Sequence, residues 1–227
     1  MIRAGCCCTV VPDIAQLEPL PKPAAKLKAA GRQADPLLNT RTPPQETHWP
    51  DGTIFTLGHS TLAIEDFIAL LQTYGIQRLV DVRTIPASRH NPQYMSDALA
   101  ASLAANGIGY LHMPALGGLR HPRKDSPNAG WRNKSFRGYA DYMQTDAFRE
   151  AVENLIVMGR QSRTAIMCAE AVPWRCHRSL VADALGVRGV PVVEILSARD
   201  WRMHALTPFA QVEGTSIIYP PKQGSLL

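Results

Sequence analysis

A chain of 227 residues with a net charge of +5 is long enough to build its own apolar core, burying roughly 70% of its unfolded surface, and needs no disulfide staple. Five cysteines, an odd number, together with no secretory segment and no apolar run of membrane-spanning length, argue against a disulfide scaffold or a membrane span and for a reducing, cytoplasmic setting. The basic balance, with a pI near 9.1, is compatible with an anionic partner without specifying one, and part of the excess belongs to the first fifty residues.

Residues 1 to about 50 are rich in Pro, Ala and Lys, and Pro19, Pro21, Pro23, Pro36, Pro43 and Pro44 interrupt any periodicity, which predicts a disordered leader. Its Cys6–Cys8 run is as readily incidental as metal-binding. Order is expected from Thr53 to Leu57, a β-rich run that stops at Gly58, His59 and Ser60. Ile64, Phe67, Ile68 and Leu71 then recur at helical spacing, with Glu65 and Asp66 suited to the positive helix start and Gly75 at its end. Ala63, at the cap position, offers no polar side chain. Leu79 to Arg83 reads as a second strand, parallel to the first if the crossover is right-handed, so Asp81 and Arg83 fall at its C-terminal end.

Ile85 to Gln93 is a loop carrying Ser88, Arg89 and His90, followed by a helix from about Ser96 to Ala105 and a short strand around Tyr110 to His112. From Pro114 to Gly138 the chain is rich in Gly and Pro and strongly basic, with Arg120, His121, Arg123, Lys124, Arg132, Lys134 and Arg137 interleaved with Trp131 and Phe136. A connection of that length inside a domain usually has a function. Tyr139 to Met143 suggests a helical turn, and Phe148, Ala151, Val152 and Leu155 a firmer helix ending at Gly159. Thr164 to Met167 is a buried strand, and Leu180, Val181, Ala184 and Leu185 mark a helix closing at Gly186. Val190 to Ile195 is the last main strand. The expected layout is a single α/β domain over 51–205, a Rossmann-like three-layer sandwich with a mostly parallel sheet, plus a C-terminal extension over 206–227 in which Ser216 to Tyr219 would add an edge strand.

Between the Thr164–Met167 strand and the helix that follows it lies Cys-Ala-Glu-Ala-Val-Pro-Trp-Arg-Cys-His-Arg, residues 168–178. In open α/β sheets such loops sit at the carboxyl ends of strands, where ligands bind and the next helix aims its N–H groups. Cys168 is placed as a nucleophile, its thiol acidified by Arg175 and Arg178, although a cysteine packed as a small apolar group is the plainer alternative. Glu170 suits proton transfer, or else pairs with Arg178. His177, at a helix start, suits a neutral hydrogen-bonding role.

His59, Ser60, Asp81, Arg83, Arg89, Cys176 and Arg178 would line a binding site around these catalytic candidates. The guanidinium forks take a phosphate or carboxylate bidentately, and the backbone after Gly58 offers N–H groups. The bland alternative has each arginine tied to Asp81 or Glu170. Cys168, Cys176, His177 and His59 form a soft-ligand set, but their spacing fits no compact zinc pattern, so no metal is assigned and no cofactor is specified. Two functional readings stand: a pocket for an anionic, nucleotide-like or phosphorylated small molecule, with enzyme activity left open, or a nucleic-acid module in which Arg120, Arg123, Lys124, Arg132 and Arg137 grip phosphates and Trp131 stacks on a base.

Gly58-His59-Ser60-Thr61, Asp81-Val82-Arg83, Ser88-Arg89-His90-Asn91-Pro92, Leu116-Gly117-Gly118, Phe136-Arg137-Gly138-Tyr139 and Cys168-Ala169-Glu170 with Pro173 and Cys176-His177-Arg178 together resemble the domain of unknown function 488 family, from about Thr53 to about Trp201. The resemblance implies a bacterial or archaeal cytosolic α/β domain. It implies no particular reaction.

Overall fold

The computed structural model describes residues 44, 47–87 and 89–221. Most of the leader with Cys6–Cys8, Ser88 and the tail from 222 lie outside the described residues.

Five parallel strands, β1 (Ile54–Gly58), β2 (Arg78–Asp81), β3 (Gly109–His112), β4 (Thr164–Cys168) and β5 (Val192–Ile195), stand in the order β3-β2-β4-β1-β5, and β6 (Trp201–Met203) adds antiparallel to β5 at the edge. The strand side chains alternate between two cores. Phe55, Leu57, Leu79, Ala165 and Met167 share one with α1 (Ile64–Thr73) and α2 (Ser96–Ala104). Ile54, Val80, Val82 and Ile166 share the other with α3 (Lys134–Tyr142), α4 (Asp146–Gln161) and α5 (Arg178–Gly186). Strands buried on both faces read as unbroken apolar runs, and the result is the expected three-layer α/β sandwich.

Two elements differ from the expectation. The basic connection is shorter than its composition suggests, because Asn133 accepts a hydrogen bond from the Ser135 N–H and starts α3, which buries Phe136, Tyr139 and Ala140. Gly138 allows this packing, since a Cβ there would lie 2.4 Å from the Arg120 carbonyl oxygen. Ser216–Ile218 (β8) pairs with Gln211–Glu213 (β7) in a separate ribbon, and the sheet edge is β6 instead. The ribbon does not trail away: Ile217 and Tyr219 are buried with α3–α5, the Tyr219 hydroxyl donates to Asp183 at 2.8 Å, and its N–H donates to Asn128 at 2.8 Å.

His204 follows β6 and sits between Asp183 and Glu194, 2.8 and 2.7 Å from their oxygens, with Arg202 on the other oxygen of Glu194. Burial lowers the imidazole's affinity for a proton, but the two carboxylates more than offset this and raise its pKa to about 9. Both folded and unfolded forms are protonated below about pH 6.5, so the contribution is complete there and is lost as pH rises through 9. Thermal melts should therefore show wild type losing stability between pH 6.5 and 9, with His204→Gln flat over that window.

Topology also sets where the sheet opens. From β1 the chain passes over β4 to reach β2, whereas from β4 it passes over β1 to reach β5. Neighbouring loops leave β1 and β4 in opposite directions, which opens a crevice at the carboxyl ends of those strands.

Candidate functional site

That crevice is a hollow of about 620 Å³ lined by His59, Ser60, Arg83, Gly118, Cys168, Glu170 and His177, among others. A larger hollow of about 830 Å³ lies at the opposite strand ends, between Trp49–Thr53 and Gly159–Arg163, and brings together no thiol or imidazole. The chemistry is concentrated in the first.

One wall is a buried ion network. Asp81, fully buried, accepts from the Arg83 N–H at 3.0 Å, from Arg83 Nε at 2.9 Å and from the Tyr110 hydroxyl at 2.9 Å, while Arg83 Nη2 bridges to Asp81 and to the Tyr94 carbonyl at 2.8 Å. The His59 ring stacks on Tyr94 with centroids 3.9 Å apart. Its Nδ1–H donates to the Ser60 carbonyl at 2.8 Å, leaving Nε2 to accept from Arg83 Nη1 at 3.4 Å. Burial above all, then the neighbouring guanidinium, pushes His59 down to about 4, so it is neutral at physiological pH. The backbone N–H groups expected to meet an anion are occupied: His59 and Ser60 donate to the carbonyls of Cys168 and Ala169, both at 3.0 Å. Ser60 holds φ +47°, a left-handed conformation unusual for a side-chain-bearing residue.

The opposite wall is the 168–178 loop. A single 3₁₀ turn over Pro173–Arg175 folds the chain back, so that Cys168 Sγ, Cys176 Sγ and a His177 ring nitrogen lie within 4.8 Å of one another. His177 Nε2–H donates to the Val82 carbonyl at 3.1 Å, which leaves Nδ1 unprotonated and able to accept from the Cys176 thiol at 3.7 Å. Burial holds this imidazole below its usual range, as a neutral group. Gly58 lets the loop lie against β1, because a Cβ there would sit 1.9 Å from the Glu170 carbonyl oxygen.

Beneath the thiols Arg178 is 0% exposed. Its Nη1 donates to Thr56 Oγ1 at 2.8 Å, its Nη2 donates to the Glu170 carbonyl, and its Nε has no hydrogen-bond partner among the described residues. Among the described residues no carboxylate comes within ion-pair distance of it. Its field acts instead on the neighbouring thiols. A hydrogen bond from Cys168 and the Arg178 guanidinium lower the Cys176 thiol against the opposing effect of burial, and the same hydrogen bond, with burial, pushes the Cys168 thiol up. The acidic thiol of the pair is thus the buried Cys176, while Cys168 forms the wall of the hollow.

The other sequence candidates separate. The Glu170 carboxylate is exposed at the rim, and its contact with Arg178 runs through the carbonyl, not the side chain. Arg89 is exposed and is not part of the hollow's lining. Asp81, Cys176 and Arg178 stand behind the walls. In the basic stretch Arg120 caps the Gly117 carbonyl at 3.2 Å and covers the Tyr142 ring at 3.7 Å, Arg123 pairs with Asp125, and Arg137 holds the Trp131 carbonyl. Trp131 is packed among Phe136, Phe209 and Tyr219. The loop itself is ordered by Asp141, which accepts from the Arg123 N–H, Ser126 and Asn128. Lys124 and Arg132 are exposed. Sequence reading missed Thr56, Tyr94 and Tyr110. The signal for Thr56 was its hydroxyl in the middle of an otherwise apolar strand.

Fold and site define a doubly wound α/β protein whose strand-end crevice is built around two free thiols, two neutral histidines and two buried arginines. The chain belongs to the family described as Domain of unknown function DUF488, whose model matches residues 63–185. The matched stretch begins after β1, so the Gly58-His59-Ser60-Thr61 motif precedes it, and the Asp81-to-Arg178 motifs fall within it. No curated protein and no solved structure matched the chain. No helix among the described residues is long and apolar enough to cross a membrane.

Proposed function

We propose that the crevice binds a small anion of the nucleotide-like or phosphorylated class, and that Cys168, Cys176 and His177 carry out thiol chemistry on it. The observation that carries this reading is Arg178, fully buried with no carboxylate at ion-pair distance among the described residues. Around the crevice two buried guanidinium groups face one buried carboxylate, Asp81. That imbalance suits either a thiolate or an arriving anion.

The chemistry follows from how the proton is shared. A proton moving from Cys168 Sγ to the Cys176 thiolate would leave the negative charge on Cys168, at the wall where a ligand sits, with Glu170 at the rim to exchange protons with solvent. A reducing, cytoplasmic environment goes with this reading, since the pair must stay reduced. Gripping of nucleic acid by Arg120, Arg123, Lys124, Arg132 and Arg137 has less behind it, because Arg120 and Arg137 fasten the loop and Trp131 is packed among other rings.

Calorimetric titration of the reduced protein with inorganic phosphate, a nucleoside monophosphate and a sugar phosphate tests the reading. Binding of at least one is expected, weakened in Arg178→Met protein whose near-UV circular dichroism is native. Wild-type protein that binds none of the three at low salt overturns it. Tight binding of single-stranded oligonucleotides with a steep salt slope would favour the nucleic-acid reading instead.

A further inference from the structure

We infer that Cys168 Sγ, Cys176 Sγ and His177 Nδ1 form a three-ligand site for a soft divalent cation of the zinc class, with its fourth position open to the crevice. The site does not depend on anion binding. Three observations point to it independently.

The first is distance. Zinc–sulfur bonds of about 2.3 Å and zinc–nitrogen bonds of about 2.0–2.1 Å place tetrahedral ligand atoms roughly 3.5–3.8 Å apart. Cys176 Sγ and His177 Nδ1 are already 3.7 Å apart, and all three ligand atoms lie within 4.8 Å. Closing the set needs a movement of about an ångström, within reach of the Cys168 side chain on the open wall.

The second is the histidine tautomer. Metal-bound histidines almost always donate their other ring N–H to a carbonyl or carboxylate, which fixes the ring and leaves the ligating nitrogen unprotonated. His177 Nε2–H donates to the Val82 carbonyl, and the unprotonated Nδ1 faces the Cys176 sulfur.

The third is charge. Two thiolates and Arg178 together leave one net negative charge, which a divalent ion converts to one net positive charge. An anionic fourth ligand arriving from the crevice cancels it. Three protein ligands plus an open position is the arrangement of catalytic zinc centres, whereas closed structural sites use four. Loading the ion releases the remaining thiol protons to solvent, so affinity rises with pH.

Compact zinc spacing along the chain is not required of this set, because its ligands do not come from a local knuckle. The end of β4 supplies Cys168, and the Pro173–Arg175 turn returns Cys176 and His177 beneath it.

The experiment is a Co²⁺ titration followed by Zn²⁺ displacement on reduced, metal-stripped full-length protein carrying Cys6→Ser, Cys7→Ser and Cys8→Ser, which removes the other thiol cluster. One equivalent is expected, with a thiolate-to-cobalt charge-transfer band. Cys176→Ser and His177→Gln should each weaken binding by more than about 100-fold, beyond the loss typical for an outer-shell partner. His177→Gln serves as the arm that preserves both thiols if the serine variant fails to fold. Absence of the band in protein whose thiols titrate as free, or a band that survives both substitutions, overturns the site. Because no phosphate-bearing ligand is present, failure here is separate from failure of the anion reading.

Discussion

Arg178→Met is expected to destabilise the fold by about 2–4 kcal/mol and to move the alkylation of the metal-free protein to higher pH. Methionine retains the apolar stem but removes the donors to Thr56 Oγ1 and the Glu170 carbonyl, each a charge-assisted bond worth about 1.5–3 kcal/mol. Two effects work in the opposite direction. A buried guanidinium with an unpartnered Nε is itself expensive to desolvate. Cys176, unlike a carboxylate, also escapes a stranded charge simply by taking up a proton. The lost hydrogen bonds win because the Glu170 carbonyl, pressed onto Gly58, has nowhere else to turn.

The sign with pH follows from the same pair. Cys176 is acidified in the folded state, so its contribution is present above the ordinary thiol range and is lost as pH falls through the folded value. The stability gap between wild type and variant should therefore widen as pH rises toward about 8.5. Urea melts at several pH values and the pH profile of iodoacetamide labelling measure both effects. An unchanged labelling profile would show that Arg178 is not the counter-ion of the thiol pair.

How far this was legible beforehand varies with the range of the interaction. β1, α1 and α5 could be read directly, because an apolar run buried on both faces and a repeating i, i+3, i+4 pattern are local signals. The uncapped start of α1 at Ala63 was equally local. Only the end of α3 was legible, as the helical turn expected over Tyr139 to Met143; its start, with Lys134, Arg137 and Gly138, has the composition of a loop. The three-residue strands β6 to β8 are too short to show alternation, and although Ser216 to Tyr219 reads as an edge strand, nothing local says that it pairs with Gln211–Glu213 instead of joining the main sheet. At the site, the 168–178 loop announced itself as a polar cluster at a strand end, but its pairings did not. Arg178 finds Thr56 across a sequence separation of 122 residues and Arg83 finds the Tyr94 carbonyl across 11, and nothing in composition points to either. The expected Arg178–Glu170 contact exists through the backbone carbonyl alone, a distinction that residue types cannot carry.

Asp81→Asn should be the most damaging single change at the crevice, by about 3–5 kcal/mol, the range for removing one partner of a buried ion pair. The carboxylate receives the Arg83 backbone N–H, the Arg83 guanidinium and the Tyr110 hydroxyl, all donors. An asparagine keeps one acceptor and turns an NH₂ group toward donors already in place, stranding a guanidinium that is 6% exposed. The double variant Asp81→Asn/Arg83→Gln no longer holds that charge and should recover part of the loss, so the mutant cycle should show a coupling of about 1–3 kcal/mol. His59 provides an independent readout. Its low pKa of about 4 owes most to burial and next to Arg83 among the lowering influences, so Arg83→Gln should raise it only part of the way toward 6.5, as followed by NMR titration. Because the unfolded imidazole protonates near 6.5 and the folded one near 4, wild-type stability falls as pH drops between those values, and Arg83→Gln should shorten that fall. A His59 pKa unmoved by Arg83→Gln would mean that burial alone holds the ring neutral and that the guanidinium's field is spent on Asp81.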